Sequence, residues 1–200
     1  MLNLDPENFP AAARSTYLNT ASVALMYSGC RDAIHQWNDD LAEYGTTHFD
    51  EQAEQDIFNP LHDSFAQLVN AKPEDIAVAT SATEQLASIA WALMPKRGST
   101  ILTTGIVFPT TVYPFSRVAR HTGADIEFVQ GNGDYVDPQE IYDRISGKTS
   151  VVCLSHVEFG SGQKYDLKQF ADRCHEFGAV LVVDATQSAG AVAIDVQDSG

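Results

Sequence analysis

From Asp75 onward, short apolar runs alternate with longer amphipathic segments. The runs are Ile76–Thr80, Thr100–Thr104, Asp125–Val129, Ser150–Ser155 and Val180–Asp184. They are rich in Val and Ile and bounded by Gly or polar turns, the pattern of parallel strands buried on both faces. Between them, Thr83–Met94, Thr110–His121, Asp137–Ile145 and Asp166–Phe177 are each long enough for a helix. Asp137 and Asp166 are suited to N-caps, because a short acceptor side chain satisfies backbone N–H groups that the first helical turn leaves orphaned. Gly123 and Gly178 follow two of the helix ends, where a left-handed residue closes the last turn. This β-α alternation predicts an open parallel α/β sheet, and ligands of such sheets bind beyond the carboxyl ends of the strands.

The first 70 residues read differently. An irregular N-terminal arm precedes two expected helices, Cys30–Gly45 and Glu51–Val69, with Ile57, Phe58, Leu61, Phe65 and Leu68 at helical spacing. The expected organisation is therefore an arm with helices over residues 1–70 and an α/β domain over 71–200.

Composition narrows the class. Twelve Lys+Arg stand against 27 Asp+Glu, a formal net charge of −15, and the chain is 44% hydrophobic and 20% charged. Those proportions fit a folded chain, and the acidic balance argues against nucleic acid or an anionic membrane surface as partner. Cys30, Cys153 and Cys174 are too few and too scattered for a disulfide framework or zinc knuckle, and read as reduced thiols. The start, MLNLDPENFP, has no positive leader and no apolar stretch. The longest apolar tract, Ala179–Val196, is interrupted by Asp184, Gln187 and Asp195, which argues against a membrane span. A soluble cytoplasmic protein is expected.

Candidate chemistry gathers at the expected strand ends. Ser81-Ala82-Thr83-Glu84 opens a helix with small residues and hydroxyls, which suits an anion cradle and equally an ordinary N-cap. Asp184 closes an apolar strand, where a carboxylate is costly to desolvate unless a cation compensates it. No Lys or Arg lies near it in sequence, so the partner is another part of the fold or a ligand such as a protonated heterocyclic nitrogen; a solvent-exposed Asp at the sheet edge is the plain alternative. Phe108, after the second run, stands where an aromatic could cover a planar ring or fill the core. His156 is either an acid–base group or a satisfied half-buried imidazole. No G-x-G-x-x-G follows the first strand and no G-x-x-x-x-G-K-[ST] occurs. Gly160-Ser161-Gly162 lacks the frame of a nucleophile elbow.

Together these residues resemble the pyridoxal-phosphate (PLP) enzymes of fold type I, in the class V aminotransferase and cysteine desulfurase superfamily. The resemblance runs from Tyr17-Leu18-Asn19-Thr20-Ala21 to the C-terminus and is strongest at Val183-Asp184-Ala185-Thr186-Gln187-Ser188-Ala189-Gly190, which is similar to the family's D-A-x-Q-x-x-G stretch. It implies a mostly parallel three-layer αβα sheet and a PLP-dependent enzyme acting on an amino acid through an aldimine, working as a homodimer. It further implies that Asp184 pairs with the pyridinium N–H and Gln187 hydrogen-bonds the ring's phenolic oxygen. Ser81, Ala82 and Thr83 hold the phosphate, and Phe108 stacks on the ring.

Two departures shape the expectation. Cysteine desulfurases usually place His where this chain has Phe108, and commonly an Asn where it has Phe159 beside Glu158, so an aminotransferase-like, kynureninase-like or epimerase-like reaction is favoured. The Schiff-base lysine follows the D-A-x-Q motif in the family, whereas only sixteen residues follow Asp184 here and none is Lys. Lys72, Lys96, Lys148, Lys164 and Lys168 all precede it and match no such motif, and the family's substrate-carboxylate Arg is absent too. The expected sheet is thus incomplete at its C-terminal side, leaving Ile76–Thr80 without neighbours. The chain reads as the N-terminal portion of a longer enzyme, or else as a non-catalytic fragment.

Overall fold

A computed structural model describes residues 5–200; the first four residues of the acidic N-terminal stretch lie outside the described part. The chain divides into two compact units, one running to Pro60 and the other from Leu61 to Gly200. The first holds helix α1 (Ser28–Tyr44) and most of α2 (Glu51–Val69), which continues through Pro60 into the second. Within the first unit Trp37 meets Phe49 edge to face at 5.4 Å, and the His48 ring lies 3.0 Å from the Asp40 carboxylate.

The second unit is the α/β body. Its order is α3 (Ala82–Leu93), β1 (Thr100–Thr104), α4 (Pro109–Thr122), β2 (Asp125–Val129), α5 (Pro138–Arg144), β3 (Thr149–Ser155), α6 (Leu167–Phe177), β4 (Val180–Asp184) and α7 (Val196–Ser199). The four strands are all parallel, in the order β2-β1-β3-β4. The period of two along each strand sorts the core into two layers. Ile101, Val151, Cys153 and Val182 pack with Leu86 and Ala90 of α3 and Phe115, Val118 and Ala119 of α4. Leu102, Val152 and Leu154 face the other way, against Ile141 of α5 and Phe170 and Cys174 of α6. Helices therefore cover both faces, the three-layer arrangement expected from the sequence.

The caps carry the sequence logic into the chain directions. Asp137 accepts from Gln139 N–H and Asp166 from Gln169 N–H, each at the start of its helix. Gly123 (φ 80°) and Gly178 (φ 69°) close α4 and α6 in the left-handed region. These caps turn each helix back so that the next strand enters the sheet parallel to the last, which places all four carboxyl ends along one edge.

One expected strand is absent. Residues 76–79 form no ladder, although Ile76 is extended (φ −99°, ψ 127°). A strand is stabilised by its neighbours, and no described residue pairs with this segment. Gln85 of α3 instead donates its side-chain N–H to Ala77 C=O. The three cysteines are free, Cys30 exposed and Cys153 and Cys174 buried.

Candidate functional site

The carboxyl edge of the sheet is closed by Thr104, Ser155 and Asp184, the last two in direct register. Asp184 is half-buried, and both of its oxygens are held. Oδ1 accepts from the Thr186 N–H (3.0 Å) and the Thr186 hydroxyl (2.6 Å), a local turn that fixes the side chain at the strand's end. Oδ2 accepts from the Thr111 hydroxyl (2.7 Å), which reaches across from α4. No described Lys, Arg or His forms an ion pair with it. Three neutral donors orient the carboxylate without neutralising it.

The first turn of α4 ties the site together. Phe108 caps this helix, and Thr111 N–H donates to Phe108 C=O at 2.9 Å. Thr110 and Thr83 bring their hydroxyls to 3.4 Å, so the N-termini of α3 and α4 lie side by side. Thr111, fully buried, carries the connection on to Asp184. Ser81, Ala82, Thr83, Phe108 and Asp184, dispersed over about half the chain, thus belong to one connected cluster. Gln187, half-buried in the turn after β4, lies three residues past Asp184.

At the start of α3, Ser81 accepts from Glu84 N–H (3.3 Å) as an N-cap. Glu84 folds back to accept from the Thr80 N–H (3.1 Å) and hydroxyl (2.6 Å). Those two donors hold its carboxyl below the ordinary glutamate range. The capping alternative raised by the sequence is therefore realised, while Ser81, Ala82 and Thr83 remain exposed beside the second helix N-terminus. Aligned N–H groups at two adjacent helix starts favour an anion.

Phe108 is 46% exposed and has no side-chain cap bond, so it is not a core residue. Its ring meets that of Phe159 at 5.1 Å and 81°, an edge-to-face pair. His156 is buried, and its Nδ1 lies 3.0 Å from the Ser188 hydroxyl, which itself donates to Ala185 C=O (3.2 Å). With the hydroxyl proton so committed, Nδ1–H is the donor, a tautomer assigned from the network. Burial, and secondarily the Lys164 charge, hold the imidazole below its ordinary pKa. A buried ring with Nδ1 engaged by Ser188 accords with the satisfied imidazole of the two readings open in the sequence. Its backbone N–H also donates to Asp184 C=O (2.9 Å), joining the ends of β3 and β4.

Thr111, Thr186 and Ser188 escaped the sequence reading as site residues. Thr186 and Ser188 were within the quoted motif and Thr111 was three residues from Phe108, one helical turn, which was the available signal.

The cluster fits a planar cationic heterocycle bearing a phosphate, the chemistry of PLP. A carboxylate that lacks a cation, a half-exposed aromatic face and paired helix N-termini converge through α4. The aminotransferase class-V family model matches residues 17–200. The chain is 30% identical over 193 residues to the uncharacterized aminotransferase YcbU of Bacillus subtilis, covering 96% of this chain and 50% of that protein. It is 29% identical to a probable cysteine desulfurase of Methanothermobacter thermautotrophicus, over 68% of this chain and 34% of that one. Among solved structures, C-DES with glycine covalently linked to its PLP cofactor superposes with a TM-score of 0.84 at 25% identity, covering 98% of this chain and 53% of that one. C-DES, a cystine C–S lyase, in complex with its product cysteine persulfide gives 0.81 at 25% identity, covering 94% and 52%. The chain spans between a third and about half of the length of these relatives. No described helix is long and apolar enough to cross a membrane.

Proposed function

The chain belongs to the aminotransferase class-V family, and on that premise we propose that it forms the cofactor-binding half of a PLP-dependent enzyme acting on an amino acid in the manner of an aminotransferase. The observation that carries this reading is Asp184: a half-buried carboxylate held by three neutral donors, with no ion-pair partner among the described residues. In this role Asp184 keeps a proton on the pyridine nitrogen, and Thr111 and Thr186 aim its oxygens. When bound, PLP supplies an electron sink for bonds broken at the substrate α-carbon. Phe108 covers one face of the ring, Gln187 binds its phenolic oxygen, and Ser81, Ala82 and Thr83 bind the phosphate at the start of α3. The reactive lysine belongs with the length of the relatives that this chain does not span, and the complete enzyme works as a homodimer.

The reaction subtype turns on Phe108 and Phe159. Neither side chain transfers a proton, which favours transamination, kynureninase-like hydrolysis or epimerisation over desulfuration. The fold-level likeness to a C–S lyase supports a lyase as the second reading. Turnover of an amino-acid panel with and without a keto-acid acceptor separates them: acceptor dependence identifies transamination, and acceptor-independent product supports the lyase.

Titration of the protein with PLP, read by absorbance and intrinsic fluorescence, tests the site. Asp184→Ala removes a charge-assisted hydrogen bond of about 1.5–3 kcal/mol and should weaken binding roughly tenfold or more. Unchanged affinity and spectrum in Asp184→Ala would refute the assignment.

A further inference from the structure

The turn after β3 carries a carboxyl group that the proposed cofactor contacts do not use. Glu158 is only 2% exposed. Its Oε1 lies 3.4 Å from the Thr104 hydroxyl at the end of β1. Its Oε2 has no hydrogen-bond partner, nor has the neighbouring Tyr165 hydroxyl, itself on a buried ring. No described cation forms an ion pair with it. The titratable groups around it are Asp184 on β4, Tyr165 and, beyond Tyr165, Tyr135, while His156 and Lys164 flank the same turn. Burial pushes the Glu158 pKa upward, and the negative charge of Asp184 adds to that push. The hydroxyls of Ser155, Thr104 and Tyr165 pull the other way and are outweighed.

A buried carboxyl without a cation sheds its charge rather than remain ionised. Once protonated, it becomes a donor. Protonated, Glu158 can donate to Tyr165 Oη and still accept from Thr104; ionised, it can only accept.

The turn is otherwise well tied. Glu158 N–H donates to Gln163 C=O and Gly162 N–H to Glu158 C=O, both at 2.9 Å. The Gln163 side chain binds the Val136 backbone in both directions, at 3.0 and 2.6 Å. The next residue, Phe159, is 46% exposed and sets its ring against that of Phe108.

We propose that Glu158 is a positioning residue acting as a neutral carboxylic acid: seated between Thr104 and Tyr165, it holds the turn so that Phe159 buttresses Phe108 against the cofactor ring. This inference rests on the PLP reading for its last clause only. Ionisation of Glu158 loosens the turn, so PLP affinity falls as pH rises through the Glu158 titration. The stability that the neutral acid contributes is fully present below the ordinary glutamate value of 4.5 and is lost as pH rises through the higher folded value.

The test uses the full chain labelled with ¹³C at the glutamate carboxyls and at phenylalanine. One carboxyl resonance should titrate above the others and vanish in Glu158→Gln, which retains the neutral acid's shape. Cross-peaks between the Phe108 and Phe159 rings should persist in Glu158→Gln and disappear in Glu158→Ala. PLP affinity should stay within about twofold in Glu158→Gln, lose its fall with pH, and drop about tenfold in Glu158→Ala. An ordinary titration for Glu158, or equal weakening of PLP binding in the Gln and Ala variants, overturns the proposal. Should Glu158→Ala not fold, the Gln variant and its pH profile decide alone. A chain that binds no PLP while the resonance titrates high overturns the cofactor reading and leaves the neutral acid standing.

Discussion

Asp184, at the end of β4, and Glu158, in the turn after β3, are carboxyls on adjacent parts of one sheet edge, yet their surroundings differ in kind. Asp184 meets water on one side and receives three hydrogen bonds, from Thr111 and Thr186. Glu158 is almost wholly buried, lies 3.4 Å from the Thr104 hydroxyl with those of Ser155 and Tyr165 nearby, and its Oε2 has no hydrogen-bond partner. Donor count and access to water set these two surroundings apart, not residue type. In the roles proposed above, Asp184 holds a proton on a ligand while Glu158 braces its neighbours.

The strongest way to break the contrast is to let water reach Glu158. Tyr165→Ala removes a large, fully buried side chain and should cost about 3–5 kcal/mol in urea unfolding. In the same variant the Glu158 resonance should return to the ordinary glutamate range. A resonance that stays high would show that burial by Tyr165 is not the cause.

Next in size is Thr111→Val, which keeps the buried shape but deletes the donor to Asp184 Oδ2. Loss of a hydrogen bond to a charged group predicts about 1.5–3 kcal/mol of destabilisation. PLP affinity should weaken as well, because Asp184 loses its aim, and Thr111→Ser should restore both. A Val variant as stable and as tightly binding as the parent would remove Thr111 from the site.

The smallest effect concerns His156, which couples the two regions through Ser188 and Asp184 C=O. Its folded pKa lies below the ordinary 6.5, so the unfolded chain binds the proton more readily. The corresponding stability is present above pH 6.5 and is lost as pH falls through the folded value. His156→Gln should flatten that part of the stability–pH curve, measured by thermal unfolding against the parent. A parent curve already flat there would mean that His156 protonates without strain.

Much of the fold was legible in local pattern. The runs Thr100–Thr104, Asp125–Val129 and Val180–Asp184 are strands with the bounds read from the sequence, since Val and Ile enrichment between turn residues specifies a strand buried on both faces. Ile76–Thr80 has the same composition and forms no ladder, because pairing is a property of neighbours and not of the run itself. In the candidate site, Asp184 stood out because an acid closing an apolar run contradicts its surroundings. Glu158 did not, since the stretch His156–Gly162 reads as an ordinary polar turn. Its surroundings are set by the fold: Thr104, whose hydroxyl lies 3.4 Å from it, is 54 residues away on another strand.

Alone, the sequence determined the α/β alternation and the capping residues at the helix ends. Those properties depend on periodicity and on contacts within a few residues. Only the tertiary structure decided that α4 joins Thr83, Phe108 and Asp184 into one cluster. It alone set the half-buried Asp184, held by three donors, apart from the almost wholly buried Glu158, because desolvation and hydrogen bonding are set by groups distant in the chain and adjacent in space.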